Sequence, residues 1–147
     1  MNPAHRLARF WCAIDAEQIP VRRFAVVTAC NPGDRLMPES INQAADEALA
    51  RELDRLGWFR FRVVGASPDL VHQEPGWGVA MDSPEHAVTL GRRWGQIAIF
   101  WVDDDALSLV ACEDGRSEAL GRWSARTVFR QISGPWRVDG AAAIRSV

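Results

Sequence analysis

The chain has 147 residues, 17 of them arginine and 19 acidic, with no lysine, no tyrosine, seven tryptophans and a formal net charge of −2, a length suited to one domain around one core. Its three cysteines, Cys12, Cys30 and Cys112, are odd in number and form no C-x-x-C pair, which argues against a disulfide framework and a zinc knuckle. No apolar run reaches the roughly 18 residues of a membrane span, and the first ten residues lack the apolar centre of a secretory signal, so the expectation is a soluble, cytoplasmic protein with reduced thiols.

Taken in order, Asn2-Pro3 is a helix opening, and Leu7, Phe10, Trp11 and Ile14 recur at helical spacing, which predicts a short amphipathic helix over about 3–17. Residues 24–30 carry no charge and run into the polar stop Asn31-Pro32-Gly33-Asp34, the pattern of a strand buried on both faces, over about 22–30. Ser40 and Gln43 have capping-box spacing, and Ile41, Ala45, Ala48, Leu49, Glu52, Leu53 and Leu56 trace one helical face that ends at Gly57. Phe59, Phe61 and Val63 alternate with Arg60 and Arg62 as in an outer strand, and residues 65–76 read as a polar, proline-bearing loop.

Residues 77–81 give a further short strand. Asp82-Ser83-Pro84 then opens a helix over about 84–94 that Gly95 ends. Residues 97–102 form a second apolar run, and Asp103, Asp104 and Asp105 turn the chain into a hairpin partner at 107–112. The inner six elements follow β-α-β-β-α-β, the order of a split β-α-β unit. The expected fold class is therefore α+β, a ferredoxin-like sheet with an added N-terminal helix and extra C-terminal strands. It forms a single domain, 1–147, with a core at about 20–112 and a basic, aromatic tail at 116–147. Cut after Gly115, the chain holds 11 arginines and 17 acids before that point, a charge of −6, and six arginines and two acids after it, a charge of +4.

Several spaced segments resemble a known family: the T-A-C-N-P of residues 28–32, Asn42 near a helix start, Leu49, Leu53 and Gly57, the G-x-x-P-D of residues 65–69, Glu74-Pro75, and the W-G-Q-x-A-I of residues 94–99. Together, over about 24–110, they resemble the bacterial family catalogued as domain of unknown function 3293. The resemblance implies no activity. Cys30 stands where the family pattern has an aromatic residue, and the tail has no counterpart in it.

Thr28, Asn31, Asn42, Glu74 and Gln96 are the polar residues inside those segments, each near an element boundary, and they are the candidate ligand-binding set: amides that donate and accept suit an uncharged or amide-bearing ligand. Their structural roles would be an Asx turn at Asn31, a cap at Asn42 and a buried backbone contact at Gln96. Cys30 with His72 and Asn31 or Glu74 has the residue types of a cysteine-nucleophile site, but a cysteine closing a buried strand reads as a core residue. His72, Glu74 and Asp69 are too few for a metal site, His86 reads as a surface residue, and the aspartate triplet lacks the glycine and distal glutamate of a calcium loop. No cofactor motif occurs, so no cofactor or metal is expected.

In the tail, Arg122, Trp123, Arg126, Arg130 and Trp136 mix cations with aromatics as partner surfaces do. The alternative for this stretch is an added strand with Trp123, Ala125, Thr127 and Phe129 facing inward. The first functional expectation is a small non-catalytic module that binds a protein partner or a second copy through this tail and the sheet surface. A small enzyme or small-ligand protein using a polar pocket at the strand ends is the alternative, and nucleic-acid binding through the tail the third.

Overall fold

The computed structural model describes residues 3–129 and Val138. Their strands are β1 (Arg9–Cys12), β2 (Arg23–Val27), β3 (Arg60–Ala66), β4 (Gln73–Ala80), β5 (Ala98–Asp103), β6 (Ala106–Ala111), β7 (Ser117–Arg122) and β8 (Thr127–Phe129), and their helices α1 (Glu39–Leu56), α2 (Pro84–Arg93) and the single turn α3 (Trp123–Arg126). The strands form one sheet in the order β7-β6-β5-β2-β4-β3-β1-β8, antiparallel throughout except for the parallel pair β1 and β8. The chain is α+β, and β2, the uncharged run of the sequence, lies inside the sheet between β5 and β4.

Alternation along the strands sends side chains to two cores. Ala25, Val27, Trp77, Val79, Ile99 and Trp101 face Leu49 and Leu53 of α1 and Ala87, Val88 and Leu90 of α2, so both long helices cover one face of the sheet. Phe24, Val26, Phe61, Val63, Val102 and Leu107 face the other way, where they meet Phe10, Cys12 and Trp123. The rings of Phe10 on β1 and Phe100 on β5 lie 4.9 Å apart, centroid to centroid. Four strand spacings separate β1 from β5 in the sheet order, about 19 Å if the sheet were flat. The sheet is therefore curled, and its concave face closes on an aromatic interior of Phe10, Phe24, Phe61, Phe100 and Trp123. Gly78 makes room there, because a Cβ at that position would lie 2.2 Å from the Phe61 ring.

The helix expected over 3–17 is corrected. Residues Pro3–Leu7 and Ala16–Gln18 are short 3-10 turns, and between them Arg9–Cys12 is a strand. Of the residues that matched a helical period, Phe10 and Trp11 are adjacent buried positions that, with Cys12, form a strand covered on both faces, while Ile14 is partly buried and Leu7 is 62% exposed. β1 covers the side of β3 away from β4, so β3 is not an outer strand. The loop expected over 65–76 shrinks to residues 67–72, since Glu74 and Pro75 already pair with Gly65 and Val64. The capping box expected at Ser40 and Gln43 does not form: α1 begins after Pro38 with no side-chain cap. Gly57, with φ 76°, does end α1, and Ser83 caps α2 by accepting from the His86 amide. The inward-facing tail strand expected around Trp123 is instead β7, one helical turn and β8.

Candidate functional site

β2 stops at Val27 for a reason visible in its partner. The next ladder positions on β4 approach Pro75, which has no N–H to donate, and the contact left to that residue is through its carbonyl, which accepts from the Thr28 hydroxyl at 2.8 Å. That hydroxyl also accepts from the Cys30 amide at 3.0 Å. The chain then leaves the sheet through Asn31, in the left-handed region at φ 49°, ψ 57°, which asparagine tolerates better than most residues. From behind, Gln96 Nε2 donates to the Cys30 carbonyl at 3.1 Å, and Gly33 N donates to the Gly95 carbonyl at 2.8 Å.

Held in this way, Asn31 is the hub of an amide cluster. Its backbone N–H donates to Asn42 Oδ1 at 2.9 Å, and its Oδ1 accepts from Asn42 Nδ2 at 2.8 Å and from the Met37 amide at 2.9 Å. Its Nδ2 donates to Glu74 Oε1 at 3.0 Å. Asn42 is fixed from α1, and four residues along the same helix Asp46 takes a bidentate ion pair from Arg62, 2.8 Å on each arm. Arg62 lies 3.7 Å over the Trp77 ring and donates to the Gly76 carbonyl at 3.2 Å, tying α1 to β3 and β4 beneath the cluster.

In front of the cluster is a cleft of about 590 Å³ at the open end of the curled sheet. Its polar wall includes Asn31, Asn42, Glu74, His5, Asp34, Glu39 and His72, and its apolar wall includes Leu36, Val71, Ala8, Ala66 and Phe100. No arginine is among its described lining residues. His5 Nε2 lies 3.3 Å from Asp34 Oδ2. Burial pushes the Glu74 carboxyl above the ordinary carboxylate range, against the opposing pull of the Asn31 hydrogen bond and of His5; Asp34 adds to the rise. The Asn31 bond to Oε1 is the one hydrogen bond of the Glu74 carboxyl among the described residues, and its second oxygen takes none there.

Three of the five expected ligand-binding residues, Asn31, Asn42 and Glu74, thus converge on one cleft, whereas Thr28 and Gln96 brace the backbone behind it. Cys30 also borders the cleft, but its thiol is 1% exposed, lies 3.6 Å from the Pro75 carbonyl and is pushed up to about 12 by burial, the state of an inert thiol rather than a nucleophile. Asp69 turns away to hold its own loop, accepting from Ser67 Oγ at 2.6 Å and from the Val71 amide at 3.1 Å. No group of three or more metal-ligating side chains occurs among the described residues. His5 and Asp34 were missed from sequence. His5 sits in a segment read as helix, and only the pairing of β1 with β3 brings it to this end of the sheet.

In the tail, Trp123 is 4% exposed and packs on Phe10 and Phe24 at ring distances of 4.9 and 5.3 Å. It belongs to the core rather than to an open surface. Arg122 donates to Asp105 Oδ2 at 3.1 Å, and Arg126 Nη1 donates to the carbonyls of Arg6 and Ala8. Arg130 and Trp136 lie outside the described residues.

The sequence family described as "Protein of unknown function (DUF3293)" matches residues 27–99, so the resemblance read from the T-A-C-N-P and W-G-Q-x-A-I segments holds. That stretch contains Asn31, Asn42, Glu74 and Gln96; His5 and the tail fall outside it. No curated protein and no solved structure matches the chain.

Proposed function

We propose that this is a small-ligand-binding protein whose site is the cleft in front of Asn31, Asn42 and Glu74. The observation that carries the reading is the Glu74 carboxyl: one oxygen is fixed by Asn31, and the other has no hydrogen-bond partner among the described residues at the wall of a cleft of about 590 Å³. A mostly buried acceptor held in one orientation by a satisfied amide cluster is suited to receive a hydrogen bond from a ligand, and the volume is that of small-molecule sites. Supporting it is the scaffold, which we read as a ferredoxin-like unit formed by β2, α1, β3, β4, α2 and β5. The order β5-β2-β4-β3, antiparallel throughout and with both helices on one face, favours that reading. The cleft then lies at the carboxyl end of the first strand of the unit. Three free, buried thiols favour a reducing compartment, the cytoplasm.

We favour the cleft over the tail because, of the tail residues proposed for a partner, Trp123 is buried and Arg126 bonds the backbone of residues 6 and 8, while Arg122 stays exposed beside Asp105. The test is a thermal-shift screen with small donors, acceptors and charged compounds, run on the native protein and on Glu74→Gln. The expected result is stabilisation by hydrogen-bond donors that the substitution weakens at least tenfold in apparent affinity. Hits that bind both proteins equally would remove Glu74, and with it this site, from the reading.

A further inference from the structure

We infer that the ligand of this cleft is a small organic cation with an apolar arm, such as a primary alkylammonium or alkylguanidinium; the inference rests on the small-ligand reading above. The sign of the charge follows from the lining. Asp34, Glu39 and Glu74 border the cleft, and the basic groups among its described lining residues are His5 and His72, with no arginine among them and no lysine anywhere in the chain. An anionic ligand would meet carboxylates at every turn, whereas a cation would pair with the open oxygen of Glu74 and with Asp34 beside it.

The apolar arm follows from an independent observation. Leu36 and Val71 are 76% and 70% exposed, among the most exposed large apolar side chains of the described residues, and both border this cleft. They stand on different loops, residues 31–38 and 67–72. Each loop carries non-glycine residues in the left-handed region: Asn31 at φ 49° and Asp34 at φ 59° in the first, Leu70 at φ 63° in the second. The other two such residues, Asp104 and Asp105, form a hairpin turn. Backbone strain held at a cleft and exposed aliphatic groups at the same cleft both suit a site that covers apolar surface when occupied. Seated with its cation at Glu74, an alkyl chain would bury itself against Leu36 and Val71, or inward against Ala8 and Phe100.

The test is calorimetric titration of methyl-, butyl- and hexylammonium, with hexanol and hexanoate as neutral and anionic controls, into the full chain, Glu74→Gln and the double variant Leu36→Ser/Val71→Ser. The two exposed positions of the double variant leave the core untouched. The expected result is affinity rising about fourfold per added methylene, no binding of hexanoate, a loss of at least tenfold in Glu74→Gln, and a flattened chain-length dependence in the double variant. Methylammonium and hexylammonium binding equally, each dependent on Glu74, would overturn the apolar arm and leave the small-ligand reading standing. Hexanol binding as tightly as hexylammonium, with the same dependence on Glu74, would overturn the cationic class alone. If no amine binds, or amine binding ignores Glu74→Gln while hexanoate binds, the inference fails; neutral donors that still depend on Glu74 in the screen would preserve the reading beneath it.

Discussion

Glu74 is the residue whose ionisation reports on the site in the absence of ligand. Because burial raises its pKa in the folded chain above the reference of 4.5, the fold favours its neutral form. The resulting contribution to stability is complete below the ordinary carboxylate range and is lost as pH rises through the raised value. Glu74→Gln should therefore leave stability nearly unchanged near pH 4 and increase it near pH 7, measured as the difference between denaturant midpoints of the two proteins. His5, His72 and Asp34 face the same carboxyl and remain in both proteins, so the difference isolates Glu74. A variant less stable at neutral pH than at acid pH, relative to the native chain, would show that Glu74 is held ionised. Cys30 makes the opposite kind of prediction: with its thiol at about 12, it should resist alkylation in the folded protein, and Cys30→Ala should cost about 1–2 kcal/mol without altering ligand binding.

Among the elements, β2, α1, β4, α2 and β5 were legible because each carries a local signature: an uncharged run, a periodic apolar face, a serine-proline start, a glycine stop. β1 was not, since Phe10, Trp11 and Cys12 are buried by strands distant in sequence, and four residues are too few for alternation to outweigh a chance helical spacing. The amide cluster was half legible. Asn31, Asn42 and Glu74 were found as polar residues at element boundaries, but capping was the local alternative for Asn42, and only the structure turns its carboxamide toward Asn31. In the tail, tryptophan and arginine mark interfaces and interiors alike, and the structure places Trp123 in the interior. Trp123→Ala should cost about 3–5 kcal/mol in urea unfolding, because it removes the ring that packs on Phe10 and Phe24. Deleting residues 117–147 should abolish cooperative unfolding by exposing β6 and the concave core. A truncated chain with a native-like transition would return the tail to the role of an appendage.

At the scale of the whole molecule, the curl of the sheet explains why the site is where it is. One face is sealed by α1 and α2, the concave face is filled by aromatic rings, and an opening at the end of β2 is bordered by loops with strained backbone and exposed aliphatic groups. Its wall is made by segments far apart in sequence, His5, Asn31 to Asn42, and residues 65–75, so the cleft exists only in the folded chain. The most direct measurement is an NMR titration of the nitrogen-15-labelled chain with butylammonium, followed at the side-chain amides. The account predicts saturable shifts centred on the carboxamides of Asn31 and Asn42 and the backbone amide of Glu74, absent in Glu74→Gln. Shifts centred elsewhere, or identical in the two proteins, would contradict it.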